Sequence, residues 1–548
     1  MDFNPMLSQA RIDAMTEAGL WRNRLITDYV DEAVATKPDA VALVDHRHAT
    51  KESHIISYRR LQQMADRMAL GLVAMGVKPG DVVSYQMPNW WPVAPLYLAC
   101  VRIGAVINPI MHIFRHRELS YILDFVETKV LLIPQRFRGF DFPPMIDELR
   151  GQLPKLAHVL VDGGEGDDSL QDVLLKRRWE DEMDAARLFA ERRPDPNAVT
   201  EVIFTSGTTG QPKGAMHTHN TTISGMETTV RGLGLGADDV MLMSSPLGHN
   251  TGFLAGLLLP LIMHGKIVWQ DLWEVVTAAQ LIQDEGVTLS MGATPFLSDL
   301  VNNAAVERYD TSSLRMFITA GAPIPRMLVQ AAAEKFRMKV ISAWGMSENS
   351  LNTFCRVDDP PEKTFNTDGG PAPGVSLRIL DEDGNVLPAE EEGRLQVKGP
   401  FNFVGYLKKP ELNDTDEEGW FETGDNARMD ADGYIRITGR SKDIIIRGGE
   451  NIPVVEVENL LYRHPAIEDA AVVGMPDERL GERGCAFVTL RSGQSFSFRE
   501  MLEFFAGQHL AKNYWPERLE IISELPRTPS GKVQKFKLRE LAADLRPE

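Results

Sequence analysis

At 548 residues the chain is too long for one ordinary core, and two or more domains are expected. Its 43% hydrophobic and 25% charged residues exclude a disordered chain. A formal net charge of −19 argues against a nucleic-acid partner, because affinity for a phosphate backbone needs clustered lysine and arginine, so any anionic ligand must be held by a local site.

The three cysteines, Cys100, Cys355 and Cys485, are too few for a disulfide framework and too dispersed for a metal cluster, which fits a reducing cytoplasm. The start Met1-Asp2-Phe3-Asn4-Pro5 has no basic region followed by an apolar core, so no secretory signal is expected.

In chain order, residues 40–440 alternate short apolar runs with helical periods, the pattern of α/β layering. The segment 163–168 reads as an acidic surface loop, and 199–204 as a strand. The apolar stretch 253–263 is too short to span a membrane and contains Gly256 and Pro260. Further strands are expected at 266–269, 287–291, 316–319 and 339–343. Two of them run into the loops Gly292-Ala293-Thr294-Pro295 and Gly321-Ala322-Pro323, where α/β folds gather ligands. The pattern changes near 439–443. Beyond it a strand at 444–446, a helix at 454–462, strands near Ala470 and Cys485, a helix at 498–509 and a basic tail could form a small α+β core, joined by one short linker that can pivot.

Behind the 199–204 strand lies Thr205-Ser206-Gly207-Thr208-Thr209-Gly210-Gln211-Pro212-Lys213-Gly214. Three glycines let successive N–H groups converge on an anion, hydroxyls add donors, and Lys213 brings charge for a polyphosphate. The residue five after Gly207 is Pro212, so Walker spacing fails and the nucleotide must be bound in another way. Three more segments make chemical sense together with this one. In Ala343-Trp344-Gly345-Met346-Ser347-Glu348 an aromatic face can stack on a purine and a carboxylate can hold Mg²⁺ beside phosphates, although alone the segment also reads as a capped helix start. In Trp420-Phe421-Glu422-Thr423-Gly424-Asp425 the aspartate could accept ribose hydroxyls, with Arg440 nearby; alone, Thr-Gly-Asp reads as a turn. In 526–535 two prolines and a glycine shape a loop that delivers Lys532.

These segments, in this order, resemble the adenylate-forming superfamily of acyl-CoA synthetases, luciferases and peptide-synthetase adenylation domains, and the resemblance extends upstream through 85–109. It implies a large N-terminal α/β adenylation domain of several subdomains, 1–440, and a small mobile α+β domain, 441–548. ATP would be held by Thr205, Ser206, Gly207, Thr208, Thr209, Gly210, Lys213, Gly321, Ala322, Pro323, Trp344, Gly345, Ser347, Asp425 and Arg440, with Mg²⁺ on Glu348. Lys532 would stabilise the transition state at the α-phosphate. Lys442 would be the hinge, and Gly448, Gly449 and Glu450 would leave room for the pantetheine arm of coenzyme A. His249 is similar to the gate residue beside the substrate carboxylate, and His249, Asn250, Phe253, Thr294, Gly321 and Met346 would line the acyl pocket.

The pocket segments 247–256, 291–297, 319–326 and 344–352 carry no charge apart from Arg326 and Glu348, so an uncharged, largely apolar acid is expected. The motifs 245–253 and 447–452 are most similar to ligases of short- and medium-chain and alicyclic acids, cyclohexanecarboxylate in particular. The implied reaction forms an acyl-adenylate from Mg·ATP and passes the acyl group to coenzyme A. A stand-alone adenylation module, a luciferase-like oxygenase and a non-catalytic nucleotide binder are the alternatives. Acetylation by a lysine acetyltransferase, reversed by a deacetylase, would erase the charge on Lys532.

Overall fold

The computed structural model describes the whole chain except residues 206–211, 321–325, 441–444, 448–449, 453, 478, 509, 511 and 528–532. Among the described residues, two sheets form the body of the protein. One has six strands, in the order Lys213–Thr218, Val199–Thr205, Val106–Pro109, Val82–Tyr85, Val130–Pro134 and His158–Asp162. The other has nine, with a parallel run from Lys339–Met346 through Met316–Ala320, Leu289–Gly292, Val240–Met243 and Lys266–Gln270 to Val41–His46, and antiparallel strands at its edges. The apolar runs expected from 199, 266, 287, 316 and 339 all become strands. They read as continuous hydrophobic stretches because parallel strands covered on both faces leave no side for polar alternation.

The largest buried cluster joins residues of both sheets to the helices Tyr58–Ala74, Val93–Ile103 and His219–Gly232, so helices are packed between the sheets as well as outside them. Val93–Ile103 is buried along nearly its whole circumference and stops at Gly104, which adopts φ +69° where a side chain would be strained. The stretch 253–263 is buried too. It belongs to a helical path that starts at Asn250, loosens to a π-helix over Leu254–Leu258 and tightens again over Leu259–Ile262. No described helix is long and apolar enough to cross a membrane.

A four-stranded antiparallel sheet follows, with Arg440 ending its last strand. A five-stranded sheet then begins at Ile445, with its own core of residues such as Val457, Leu461, Val472, Val488 and Phe505. Large α/β portion and small α+β portion therefore match the expected fold class. Two local readings change. The Thr-Gly-Asp segment lies inside the strand Phe421–Met429, with Gly424 at φ +72°. The basic tail forms the helix Lys535–Ala542, whose Leu538 and Ala542 are buried with Ala471, Val473 and Met475 of the long strand Ile467–Asp477.

Candidate active site

A cleft of about 3400 Å³ opens between the two portions, at the carboxyl ends of the parallel strands. Thr205, Lys213, Trp344, Gly345, Met346, Ser347, Glu348 and Asp425 line it, and so do His249, Asn250 and Thr294. The phosphate run connects the antiparallel strands Val199–Thr205 and Lys213–Thr218, with Thr205 opposite Lys213 at the mouth. This is a hairpin, in agreement with the failed Walker spacing, whose strand would lead directly into a helix. Residues 206–211 themselves, Gly321, Ala322, Pro323, Lys442, Gly448, Gly449 and Lys532 lie outside the described residues. Arg440 pairs with Asp425 across the ladder, and Glu450 opens a short strand.

The segment 346–349 is a tight turn between the antiparallel strands Lys339–Met346 and Ser350–Phe354, rather than a helix start. Its shape is set by two residues. A side chain at Gly345 would fall 1.7 Å from the Ser350 carbonyl oxygen, and Ser350 itself takes φ +55°. The turn is held from several sides. Met346 N–H donates to Asn349 Oδ1 at 3.1 Å, and the Ser347 carbonyl accepts from Asn250 Nδ2 at 3.3 Å. His217 Nε2 lies 2.7 Å from the same carbonyl. Burial pushes the His217 imidazole down to about 4, so it is neutral near pH 7, with Nε2–H as donor to that carbonyl.

Trp344 and Asp425 form one unit. The indole Nε1–H donates to Asp425 Oδ2 at 2.9 Å, and both residues are buried apart from their faces on the cleft. Asp425 is fixed further through its own N–H, which donates to Thr423 Oγ1 at 3.1 Å, while that hydroxyl donates to the Leu395 carbonyl. One hydrogen bond thereby joins the indole of Trp344 to the carboxylate of Asp425 at the cleft wall.

Glu348 is 5% exposed, and among the described residues it forms no ion pair. Tyr406 donates its hydroxyl to Glu348 Oε1 at 2.7 Å, leaving the other carboxylate oxygen to the cleft. No described group of three or more His, Cys, Asp or Glu could form a metal cage. A lone, nearly buried carboxylate without a cationic partner suits Mg²⁺, which takes one or two carboxylates and completes its shell with phosphate oxygens and water.

His249 caps the short helix Asn250–Phe253, its Nδ1 accepting Thr251 N–H at 3.2 Å. The loop that presents it is clamped by the neighbouring sheet. Asn89 takes Leu247 N–H on its Oδ1 at 2.9 Å and donates to the Ser245 carbonyl at 3.0 Å, and Tyr85 donates to the Leu247 carbonyl at 2.7 Å. Phe253 is a correction. It is fully buried and packs edge-on against Tyr97 at 4.9 Å, on the core side of its helix and away from the cleft. Its place in the cleft wall is taken by Leu254, Ala255 and Leu259, facing Met226 and Thr229 of the helix His219–Gly232, with Met291, Ala320 and Leu351 beside them. Met226, Thr229, Leu259, His217 and Tyr406 were not among the residues singled out from sequence. The only sequence cue is that the 219–232 stretch lacks a polar face rich in charge.

Comparison with known proteins agrees with this geometry. Residues 30–407 match the AMP-binding enzyme family and residues 456–532 the AMP-binding enzyme C-terminal domain. The chain is 37% identical to the medium-chain fatty-acid–CoA ligase of Escherichia coli (strain K12), over 97% of this chain and 93% of that protein. It is 32% identical to a salicylyl-CoA synthase / salicylate adenylyltransferase of a Streptomyces species, over 96% of each. Among solved structures, ATP-bound MatB from Rhodopseudomonas palustris superposes with a TM-score of 0.84 at 29% identity, covering 95% of this chain and 99% of that one. The chain belongs to the AMP-binding, adenylate-forming enzyme family. It is an AMP-forming acid–thiol ligase that works with ATP, Mg²⁺ and coenzyme A.

Proposed function

We propose that this ligase activates medium-chain, straight, apolar carboxylic acids. The observation that supports the reading is the length of the uncharged wall on one side of the cleft. This wall follows the helical path from His249 to Leu259, ten residues on, through the π-helical stretch Leu254–Leu258. The residues along it, Leu254, Ala255, Leu259, Met226 and Leu351, bear no charge and offer a tail only dispersion and desolvation. The name of the Escherichia coli relative points the same way. An alicyclic acid of the cyclohexanecarboxylate type is the second reading, favoured by a relative that acts on a ring acid, salicylate. Such a ring would occupy the mouth beside His249 and Asn250 and leave the Met226–Leu259 end unfilled.

In the first half-reaction a carboxylate oxygen attacks the α-phosphorus of ATP, the bond from that phosphorus to the bridging oxygen breaks, and pyrophosphate leaves. Trp344 and Asp425 hold the nucleoside, the phosphate run and Lys213 the phosphates, and Glu348 the Mg²⁺ that neutralises their charge when bound. Lys532 adds its ammonium at the α-phosphate. What supports this role is the position of its neighbours: Arg527 and Val533 pair with each other and line the same cleft as Trp344, Glu348 and Asp425. In the second half-reaction the thiol of coenzyme A attacks the acyl carbonyl, losing its proton, and AMP departs with the bonding pair. The small domain, residues 441–548, pivots at Lys442 between the halves, withdrawing Lys532 and bringing Gly448, Gly449 and Glu450 to the thiol's path.

The test is pyrophosphate release and thioester formation across straight acids from butyrate to dodecanoate, with cyclohexanecarboxylate and benzoate alongside. Efficiency that climbs with chain length to a medium-chain optimum supports the proposal. A maximum at cyclohexanecarboxylate, with flat response to linear acids, selects the second reading.

A further inference from the structure

The structure assigns to Tyr406 a task in the nucleotide site: its hydroxyl pins one oxygen of Glu348 so that the other alone is offered to the divalent cation, and its ring seats the Lys213 ammonium. We infer this from three independent contacts. The hydroxyl lies 2.7 Å from Glu348 Oε1. The Lys213 Nζ sits 4.5 Å from the centre of the same ring, a cation–π distance. The segment that carries Tyr406 is fastened to both partners by backbone: Val404 N–H and Leu407 N–H donate to the Met216 and Gly214 carbonyls, Met216 N–H donates back to Gly405, and Phe403 N–H donates to the Glu348 carbonyl at 2.7 Å. Gly405 makes this course possible by adopting φ +105°. One five-residue segment thus fixes the main chain of the phosphate-run lysine and of the acidic turn, and places a single side chain between their charges.

The phenol O–H is the donor in this contact, because an ionised carboxylate can only accept. An acceptor-only carboxylate with one oxygen occupied presents one ligand atom in a set direction. Without the hydroxyl the carboxylate is free to rotate or to capture Lys213, which would remove both charges from the phosphates. Tyr406 is a positioning residue: it acts on the nucleotide through Glu348 and Lys213 and touches no reacting atom itself.

The inference rests on the reading of Glu348 as cation ligand, and the experiment separates the two. Full-length wild type, Tyr406→Phe, Tyr406→Leu and Glu348→Gln are titrated with Mn²⁺ in the presence of ATP and no acid, free Mn²⁺ being followed by electron paramagnetic resonance. The Km for ATP and the melting temperature are measured on the same samples. Tyr406→Phe, which keeps the ring, is expected to weaken Mn²⁺ binding about tenfold, the usual size for losing a partner that orients a metal ligand, with ATP Km at saturating Mg²⁺ within about twofold of wild type. Tyr406→Leu loses the seat of Lys213 as well, and its ATP Km rises by about tenfold more. Wild-type Mn²⁺ affinity in Tyr406→Phe, beside a loss in Glu348→Gln, overturns the role of Tyr406. Unchanged affinity in Glu348→Gln overturns instead the reading of Glu348.

Discussion

Replacing Ala255 by leucine tests the proposed acyl wall directly. Ala255 lies on the π-helical turn, six residues beyond His249 and four short of Leu259. It is 3% exposed and lines the cleft, so three added carbon atoms project into the tail channel. On the proposed reading each methylene that enters the cleft along this wall should contribute about 0.8 kcal/mol, close to a fourfold gain in kcat/Km per carbon until the chain meets Met226 and Leu259. A leucine at 255 displaces roughly three methylenes, which costs about 2.4 kcal/mol, or about 60-fold in kcat/Km, for acids long enough to pass it. Butyrate, which stops short of residue 255, should be unaffected. The assay is pyrophosphate release with each straight acid in turn, plotted as log kcat/Km against chain length. The expected picture is two lines that coincide for short acids and diverge beyond a break. A uniform drop at every length would mean that leucine disturbs the fold or the gate instead, and identical lines would mean that tails do not run past Ala255 at all; either result refutes the channel.

Trp344→Phe keeps a ring for the purine and removes the donor to Asp425; losing a buried hydrogen bond to a carboxylate costs about 1.5–3 kcal/mol, so ATP Km should rise at least tenfold while acid Km stays constant, and equal rises in both would sever the proposed coupling. Glu201 is fully buried with neither carboxylate oxygen hydrogen-bonded, and burial pushes its pKa up to about 8. Between pH 4.5 and 8 the folded state therefore binds the proton that the unfolded state releases, so this group's contribution is fully present below about pH 4.5 and is lost as pH rises towards 8. Glu201→Gln should be more stable than wild type, by about 3 kcal/mol at pH 7, with a gap that widens from pH 5 to pH 8; melting curves at several pH values check it, and a pH-independent gap contradicts it. Lys532→Ala should lower adenylation by about 10²–10³-fold and leave thioester formation from preformed acyl-adenylate intact, whereas Gly449→Trp should do the reverse, and equal loss of both half-reactions in either variant opposes the division of labour.

How far the sequence could carry these arguments depends on whether a residue acts through its neighbours in the chain or through distant ones. The phosphate run can be proposed from sequence because glycine, hydroxyl and lysine chemistry is complete within ten residues, and the structure adds the flanking strands, with Thr205 opposite Lys213. Continuous apolar runs gave the parallel strands for the same reason: burial on both faces is a local signature. Tyr406 is the opposite case. A tyrosine after a glycine carries no chemical message until folding brings it beside Glu348, 58 positions away, and Lys213, still more distant. The acyl wall was half legible. Residues of the segment after His249 do line the cleft, yet an α-helical period cannot be trusted there, because the path switches to a π-helix at Leu254 and re-aims every later side chain. That switch has a traceable cause. A side chain at Gly256 would stand 2.5 Å from Met243, so the backbone itself packs on the sheet, and Trp269 Nε1–H donates to the Gly256 carbonyl at 2.8 Å. The N–H that an α-helix would bring to that carbonyl, four residues on, is missing because the residue there is Pro260, so the indole supplies the donor where the turn widens, and Leu254 and Ala255 line the cleft while Phe253 lies in the core. The chain-length preference proposed for this enzyme is thus tied to Pro260 and to Trp269, a fully buried tryptophan on the nine-stranded sheet.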